Sequence, residues 1–110
     1  MIIAERTLKL RRSTKDIPVP IRIFAPTHEK DAWACRWEIR WPDRLRSCET
    51  FGIDGTQALI HALQSIGSEL YASDENKSGQ LSWTEPGTGF GFPVPQNIRD
   101  VLVGDDATFF

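Results

Sequence analysis

The sequence predicts an α+β fold, an antiparallel sheet of five to six strands packed on one long amphipathic helix. Three observations predict it. Residues 2–12, 17–25 and 33–41 alternate apolar and polar side chains with the period of two of a half-buried strand. Residues 55–72 repeat apolar positions with a helical period instead. The strand-like stretches come as a run before the helix, an order that favours a sheet covered on one face over alternating β and α units.

In the first stretch Ile2, Ala4, Leu8 and Leu10 share one parity, and Glu5, Thr7, Lys9 and Arg11 share the other. Arg6 alone breaks the pattern. The polar run Ser13 to Asp16 predicts a turn. Ile17, Val19, Ile21, Ile23 and Ala25 then resume a single parity, with Pro18 and Pro20 on the other. Proline has no N–H for a ladder, so the start of this strand is expected at an edge or outside regular pairing. THEKD, residues 27–31, is expected as a loop.

WACRWEIRWPD, residues 33–43, holds three of the four tryptophans at a spacing of four. A strand puts Trp33, Cys35, Trp37, Ile39 and Trp41 on one face, opposite Arg36, Glu38 and Arg40. A helix would place Arg36 and Arg40 inside the tryptophan stripe and send Cys35 and Ile39 to the far side. The strand fits. Pro42-Asp43 suits a turn, and RLRSCETF, residues 44–51, completes a four-stranded meander. Its parity is mixed, so its register stays open. Cys35 and Cys48 share a face diagonally or lie on opposite faces, and neither arrangement predicts a bridge.

Asp54 followed by Gln57 forms a capping-box pattern ahead of the helix. Leu59, Ala62, Leu63, Ile66 and Leu70 form its predicted apolar stripe, with Gln57, His61, Gln64 and Ser68 opposite. Gly67 lies near the stripe, and close approach to the sheet is its expected reason. The helix should end near Ser73, where SDENKSG reads as a polar loop. QLSWT, residues 80–84, predicts a short strand with Leu81 and Trp83 on one face, and EPGTGFGFPVP is irregular. Residues 97–103 predict one turn of helix or a short strand. Residues 104–110, GDDATFF, form an exposed tail unless Phe109 and Phe110 find a pocket.

A chain of 110 residues is expected to form one domain, residues 1–110, with 104–110 as a flexible tail. The net charge of -2 argues against bulk attraction to nucleic acid or an anionic membrane. Residues 1–50 carry a balance of +4 and residues 51–110 a balance of -6, which favours attraction between the two halves. Glu5 and Arg6 interrupt the apolar N-terminus, so no secretory signal is read there, and no apolar run approaches a membrane span. Two cysteines are too few for a disulfide framework. The expected setting is cytoplasmic, with both thiols reduced.

Motif chemistry is sparse. PGTGFGFP, residues 86–93, offers backbone N–H groups of the kind that cradle phosphate. Its spacing is G-x-G-x-G, however, and Phe92-Pro93 follow where a phosphate-binding loop needs Lys and Ser/Thr and then a helix. A structured surface loop is the favoured reading. His28 with Glu29 and Asp31 offers a candidate ligand set, but it lies on a loop where polar residues belong. His61 falls on the exposed helix face, and four Cys/His ligands at structural-zinc spacing are absent, so no metal and no cofactor is expected. Neither cysteine has a base tied to it by spacing, and no Ser/His/Asp set is legible, so enzymatic activity is not expected. Arg36 and Arg40 fall on the face opposite the tryptophans, which disfavours the shared stacking and phosphate contacts of a nucleic-acid site. Trp83, Phe90, Phe92, Phe109 and Phe110 exceed what one helix-covered core needs. They mark an interface or a cover over an open side of the sheet.

Five stretches, AERTL, WACRWEIRWPD, FGIDGTQALIHALQSIGSELY, LSWTEPGTGFGFPVP and NIRDVL, together resemble an uncharacterised family of small bacterial proteins carried as a domain of unknown function. The resemblance spans nearly the whole chain and implies one intact domain and a bacterial cytoplasmic origin. It implies no activity and gives no residue a role. The expected function is a non-catalytic binding or interaction module of adaptor or immunity type, acting on a protein partner or as a homo-oligomer, with no membrane contact. The alternative is a nucleotide- or metabolite-binding protein or weak enzyme, with its site at the glycine-rich loop. Trp83, Glu85, Gly87, Gly89, Phe90 and Phe92 are its candidate residues; Arg36 and Arg40 are candidates on the charged face.

Overall fold

Alternation along the first half of the chain becomes a meander. In a computed structural model, which describes residues 1–110, the strands are β1 (Ile2–Arg12), β2 (Lys15–Phe24), β3 (Thr27–Glu29), β4 (Ala32–Trp41) and β5 (Arg44–Gly52). β5 pairs with β4 from Trp33↔Gly52 to Trp41↔Arg44, occupying one whole side of it. The other side of β4 is shared by β2, through Ile21–Ile23, and β3, through Thr27–Glu29. β1 lies beyond β2, and β6 (Leu81–Ser82) adds two residues to its outer edge. The sheet is six-stranded and antiparallel, with α1 (Gly55–Ala72) packed across the inner face of β4 and β5.

The prolines of β2 explain its partial pairing. Arg11 donates its N–H to the Gln80 carbonyl (2.8 Å), so the odd residues of β1 turn their backbone groups toward the β6 side. Thr7↔Pro20 and Lys9↔Pro18 therefore face each other without exchanging hydrogen bonds. The missing N–H groups would point toward the β4 side, where pairing with β4 is confined to Ile21–Ile23. The expectation of incomplete pairing at the prolines holds.

The core is one cluster of 19 buried residues drawn from the sheet, α1 and the C-terminal third. Trp37 is fully buried at its centre, with Cys35, Ile39 and Trp41 beside it, while Trp33 at the strand's start is half-buried. The pairing Trp37↔Cys48 puts both cysteines on the inner face in diagonal positions, and both are free thiols. Burial pushes the Cys35 thiol above its usual range.

Asp54 caps α1 by accepting from the Gln57 N–H (2.7 Å). The Gln57 side chain returns to the N–H of Ile53 (2.8 Å), one residue earlier than a capping box requires. The buried stripe of α1 is Ala58, Ala62, Ile66, Gly67, Leu70 and Tyr71, with Leu59 and Leu63 only half-buried at its margin. The expected stripe is thus rotated, because small residues allow the closest approach. Gly67 is needed for contact with the C-terminal segment rather than the sheet, since a Cβ there would stand 1.9 Å from the Pro93 carbonyl oxygen.

Four further segments depart from expectation. THEKD forms β3 and a tight turn, with Lys30 at a φ of 28°. SDENKSG contains a one-turn helix, α2 (Asp74–Lys77), capped by Ser73. Residues Gln96–Val101 form a kinked 3₁₀ segment, which selects the helical alternative there. Finally, the expected exposed tail is a short helix, α3 (Gly104–Phe109), held down by buried Asp106 although Phe109 and Phe110 stay exposed.

Candidate functional site

Two regions bring chemistry-bearing residues together, and they lie on different parts of the sheet. The first surrounds the glycine-rich loop. Phe90 and Phe92 are buried in the core, and Phe92 also borders a hollow at the surface of the loop. Their burial turns the backbone N–H groups of Phe90 and Gly91 toward Asp106. Its carboxylate accepts from both (2.8 and 2.7 Å) and from the Tyr71 hydroxyl (2.6 Å). Burial, followed by this hydrogen bond, pushes the Tyr71 hydroxyl well above its ordinary range. Gly89 has a φ of +93° and a side chain there would strike the Asp106 carboxylate. The loop therefore does hold an anion at its N–H groups, and the anion is the chain's own.

Arg6 is what the broken alternation of β1 signalled. It sits on the inward parity, half-buried, with its guanidinium 3.9 Å from the Trp83 ring centroid and 4.8 Å from that of Phe92. Its Nη1 donates to the carbonyls of Gly91 (2.7 Å) and Phe90 (3.2 Å). No carboxylate forms an ion pair with it, and burial lowers its pKa. Arg6, Trp83, Thr84, Thr88 and Phe110 line a cleft of about 360 Å³, with Asp105 and Asp106 at its side. A second hollow of about 280 Å³ adjoins it at Arg6, Gly91 and Phe110. Glu85 is exposed and lines neither cleft, and Gly87 is likewise exposed. Of the loop candidates, Trp83 lines the first cleft and Phe92 the second.

The second region is the outer face of the sheet, which no helix covers. Arg36 and Arg40 project there and flank Glu38, whose side chain is only 5% exposed beneath them. Arg40 bonds Glu38 at 3.1 Å, and Arg22 lies 3.7 Å from it while also bonding Glu5 at 2.6 Å. Arg36 stacks on Phe24, 3.9 Å from its centroid. The expected solvated charge face is a network over a buried carboxylate. Alternation alone gave no sign that Glu38 would be covered.

β5 borders this face and is an edge strand over its whole length. Its inner side is tied to the helices: Arg44 pairs with Glu75 (2.8 Å), Arg46 with Glu69 (2.9 Å), and the Thr50 hydroxyl donates to the Ala58 carbonyl (2.9 Å). His61 Nδ1 donates to the Phe51 carbonyl (2.7 Å). On the outer side Leu45, Phe51 and the neighbouring Ile53 are 55%, 53% and 85% exposed. These apolar side chains were not singled out in the sequence, because the parity of residues 44–51 is mixed.

No His, Cys, Asp and Glu cluster forms a metal-binding group, and no helix is long and apolar enough to cross a membrane. A family profile described as "Domain of unknown function (DUF6968)" matches residues 4–94. No curated protein and no solved structure matches the chain.

Proposed function

Since the chain belongs to the DUF6968 family, a domain of unknown function, we propose from its surface that it is a non-catalytic interaction module docking a protein partner along β5. One observation carries this reading: β5 is a nine-residue edge strand with exposed Leu45 and Phe51 on its outer face. Unpaired edges and adjacent apolar side chains are what strand-addition partners bind. The surplus aromatics of the last third do not support the reading, since Phe90 and Phe92 belong to the core. A bacterial cytoplasmic setting fits two free thiols. The test is affinity capture with the wild-type chain and with a Leu45→Lys/Phe51→Lys chain. A partner retained by the first and lost by the second is expected; equal retention by both refutes the docking surface.

A second reading has its own observation. Arg6 is half-buried, forms no direct ion pair and faces the cleft beside Trp83, with the Asp106 charge acting on it at longer range, an arrangement suited to a small ligand with an aromatic ring and an acidic group. Thermal-shift titration with nucleotides and aromatic acids tests it, with Arg6→Gln as control. Stabilisation that vanishes in the variant supports a site there; no shift with any compound removes it.

A further inference from the structure

We propose that β5 pairs antiparallel with β5 of a second copy of this chain, joining two sheets into one across a two-fold axis at Cys48. The inference rests on the reading of β5 as the docking edge. The Phe51 carbonyl turns away from β4 to His61, so the odd-numbered residues of β5 direct their N–H and C=O groups outward. No backbone hydrogen bond from outside the sheet reaches Leu45, Ser47 or Glu49. Sheet edges are ordinarily blunted by proline, lysine, inward-pointing charges, a bulge or shortness. On the opposite side β6 covers only Lys9 and Leu10, and the rest of that edge, in β1, carries Lys9 and a register shift between Ile2 and Ala4. β5 has no proline, no lysine and an unbroken register with β4, and its inward-pointing Arg44 and Arg46 are paired with Glu75 and Glu69.

The register follows from the side chains. Continuation of one sheet through a two-fold axis pairs residues of equal parity, which leaves few alternatives. Centring on Glu49 opposes two carboxylates, and centring on Ser47 sets Leu45 against Glu49. Centring on Cys48 sets Leu45 against Phe51 of the second copy, twice, and Ser47 against Glu49, with no like charges opposed. This self-complementarity is the reason the occupant is the same chain. His61 already takes the Phe51 carbonyl, so the ladder is complete between Ser47 and Glu49, and the Leu45–Phe51 pairs contribute mainly their side chains. Since α1 lies over β4 and β5, the pairing brings the two copies of α1 to roughly 10 Å apart, an ordinary helix-packing distance.

Cys48 and its copy then form a non-hydrogen-bonded pair with Cα atoms about 4.5 Å apart, within disulfide reach. The experiment combines sedimentation velocity over a micromolar concentration series with oxidation by copper-phenanthroline and air, which removes two electrons and two protons per disulfide formed. A dimer is expected, cross-linked through Cys48, with the cross-link lost in Cys48→Ser and kept in Cys35→Ser. Ser47→Pro removes only an outward N–H, and Leu45→Lys changes only an exposed side chain. Each should weaken the dimer by about tenfold or more, and circular dichroism checks that both variants fold. A monomer at every concentration, a dimer unmoved by both variants, or a dimer without the Cys48 cross-link overturns the proposal. A monomer that still captures a partner through Leu45 and Phe51 leaves the docking edge standing with a different occupant. A monomer that captures none removes both.

Discussion

Replacing Asp106 with alanine leaves three buried donors without an acceptor: the Tyr71 hydroxyl and the N–H groups of Phe90 and Gly91. An orphaned buried donor costs about 1–3 kcal/mol. Asp106 is 1% exposed, but Gly91 is only half-buried, so water can reach part of the site once the carboxylate is gone. The lower part of the summed range of about 3–9 kcal/mol, about 3–5 kcal/mol, is therefore expected. With a urea m-value of about 2 kcal/mol/M, that moves the unfolding midpoint down by about 2 M. Equilibrium urea denaturation followed by far-ultraviolet circular dichroism measures it. Asp106→Asn keeps one acceptor oxygen and should fall between wild type and alanine. An alanine variant whose midpoint lies within about 0.3 M of wild type would refute the assignment of Asp106 as the acceptor that closes the C-terminal segment.

Three other substitutions test different parts of the structure by the same denaturation assay. Gly67→Ala gains about 1 kcal/mol from helix propensity. Its Cβ would nevertheless meet the Pro93 carbonyl, so a net loss of about 1–3 kcal/mol is expected, and a stabilised variant would contradict the close approach. Trp37→Ala should cost about 3–5 kcal/mol. Trp37→Phe should cost much less, because it keeps an aromatic ring in the core and gives up only an Nε1–H that has no hydrogen-bond partner; equal losses would show that a phenyl ring does not fill the site. Glu75 is held below its ordinary pKa of 4.5, chiefly by its hydrogen bond from Arg44. Its stabilising contribution is present above that value and is lost as pH falls through the lower, folded-state pKa. Glu75→Gln should flatten this part of the acid limb of stability against pH, and an unchanged limb would remove the pair from the account.

The parts of the fold that were legible are those set by one element's own pattern. Trp33, Cys35, Trp37, Ile39 and Trp41 specify β4 and its inner face because a one-residue shift would expose them all. Residues 44–51 lack such a pattern. Their register is fixed by the two-residue turn at Pro42-Asp43, with Trp41 opposite Arg44. Ties such as Arg46 to Glu69 and Thr50 to the Ala58 carbonyl, which no local period reveals, join the strand to α1. The helix stripe was displaced because apolar bulk marks where a helix is hydrophobic, whereas Ala58, Ala62 and Gly67 mark where it comes closest. In the glycine-rich loop, the spacing and the following Phe92-Pro93 told against a phosphate-binding loop. The sequence was silent on Asp106, whose partners lie 15, 16 and 35 residues away. Arg6 did announce itself, as the charged residue that interrupts the inward parity of β1 between Ala4 and Leu8.

The hold of Asp106 on the loop has a consequence for any free anion. A group tethered through a short stretch of chain competes at an effective concentration of order millimolar or above, whereas a dissolved phosphate or carboxylate must arrive at its own bulk concentration. The receptor at Phe90 and Gly91 is therefore self-saturated: micromolar anions find it occupied, and only an acid that also stacks on Trp83 or pairs with Arg6 brings enough additional contact to compete.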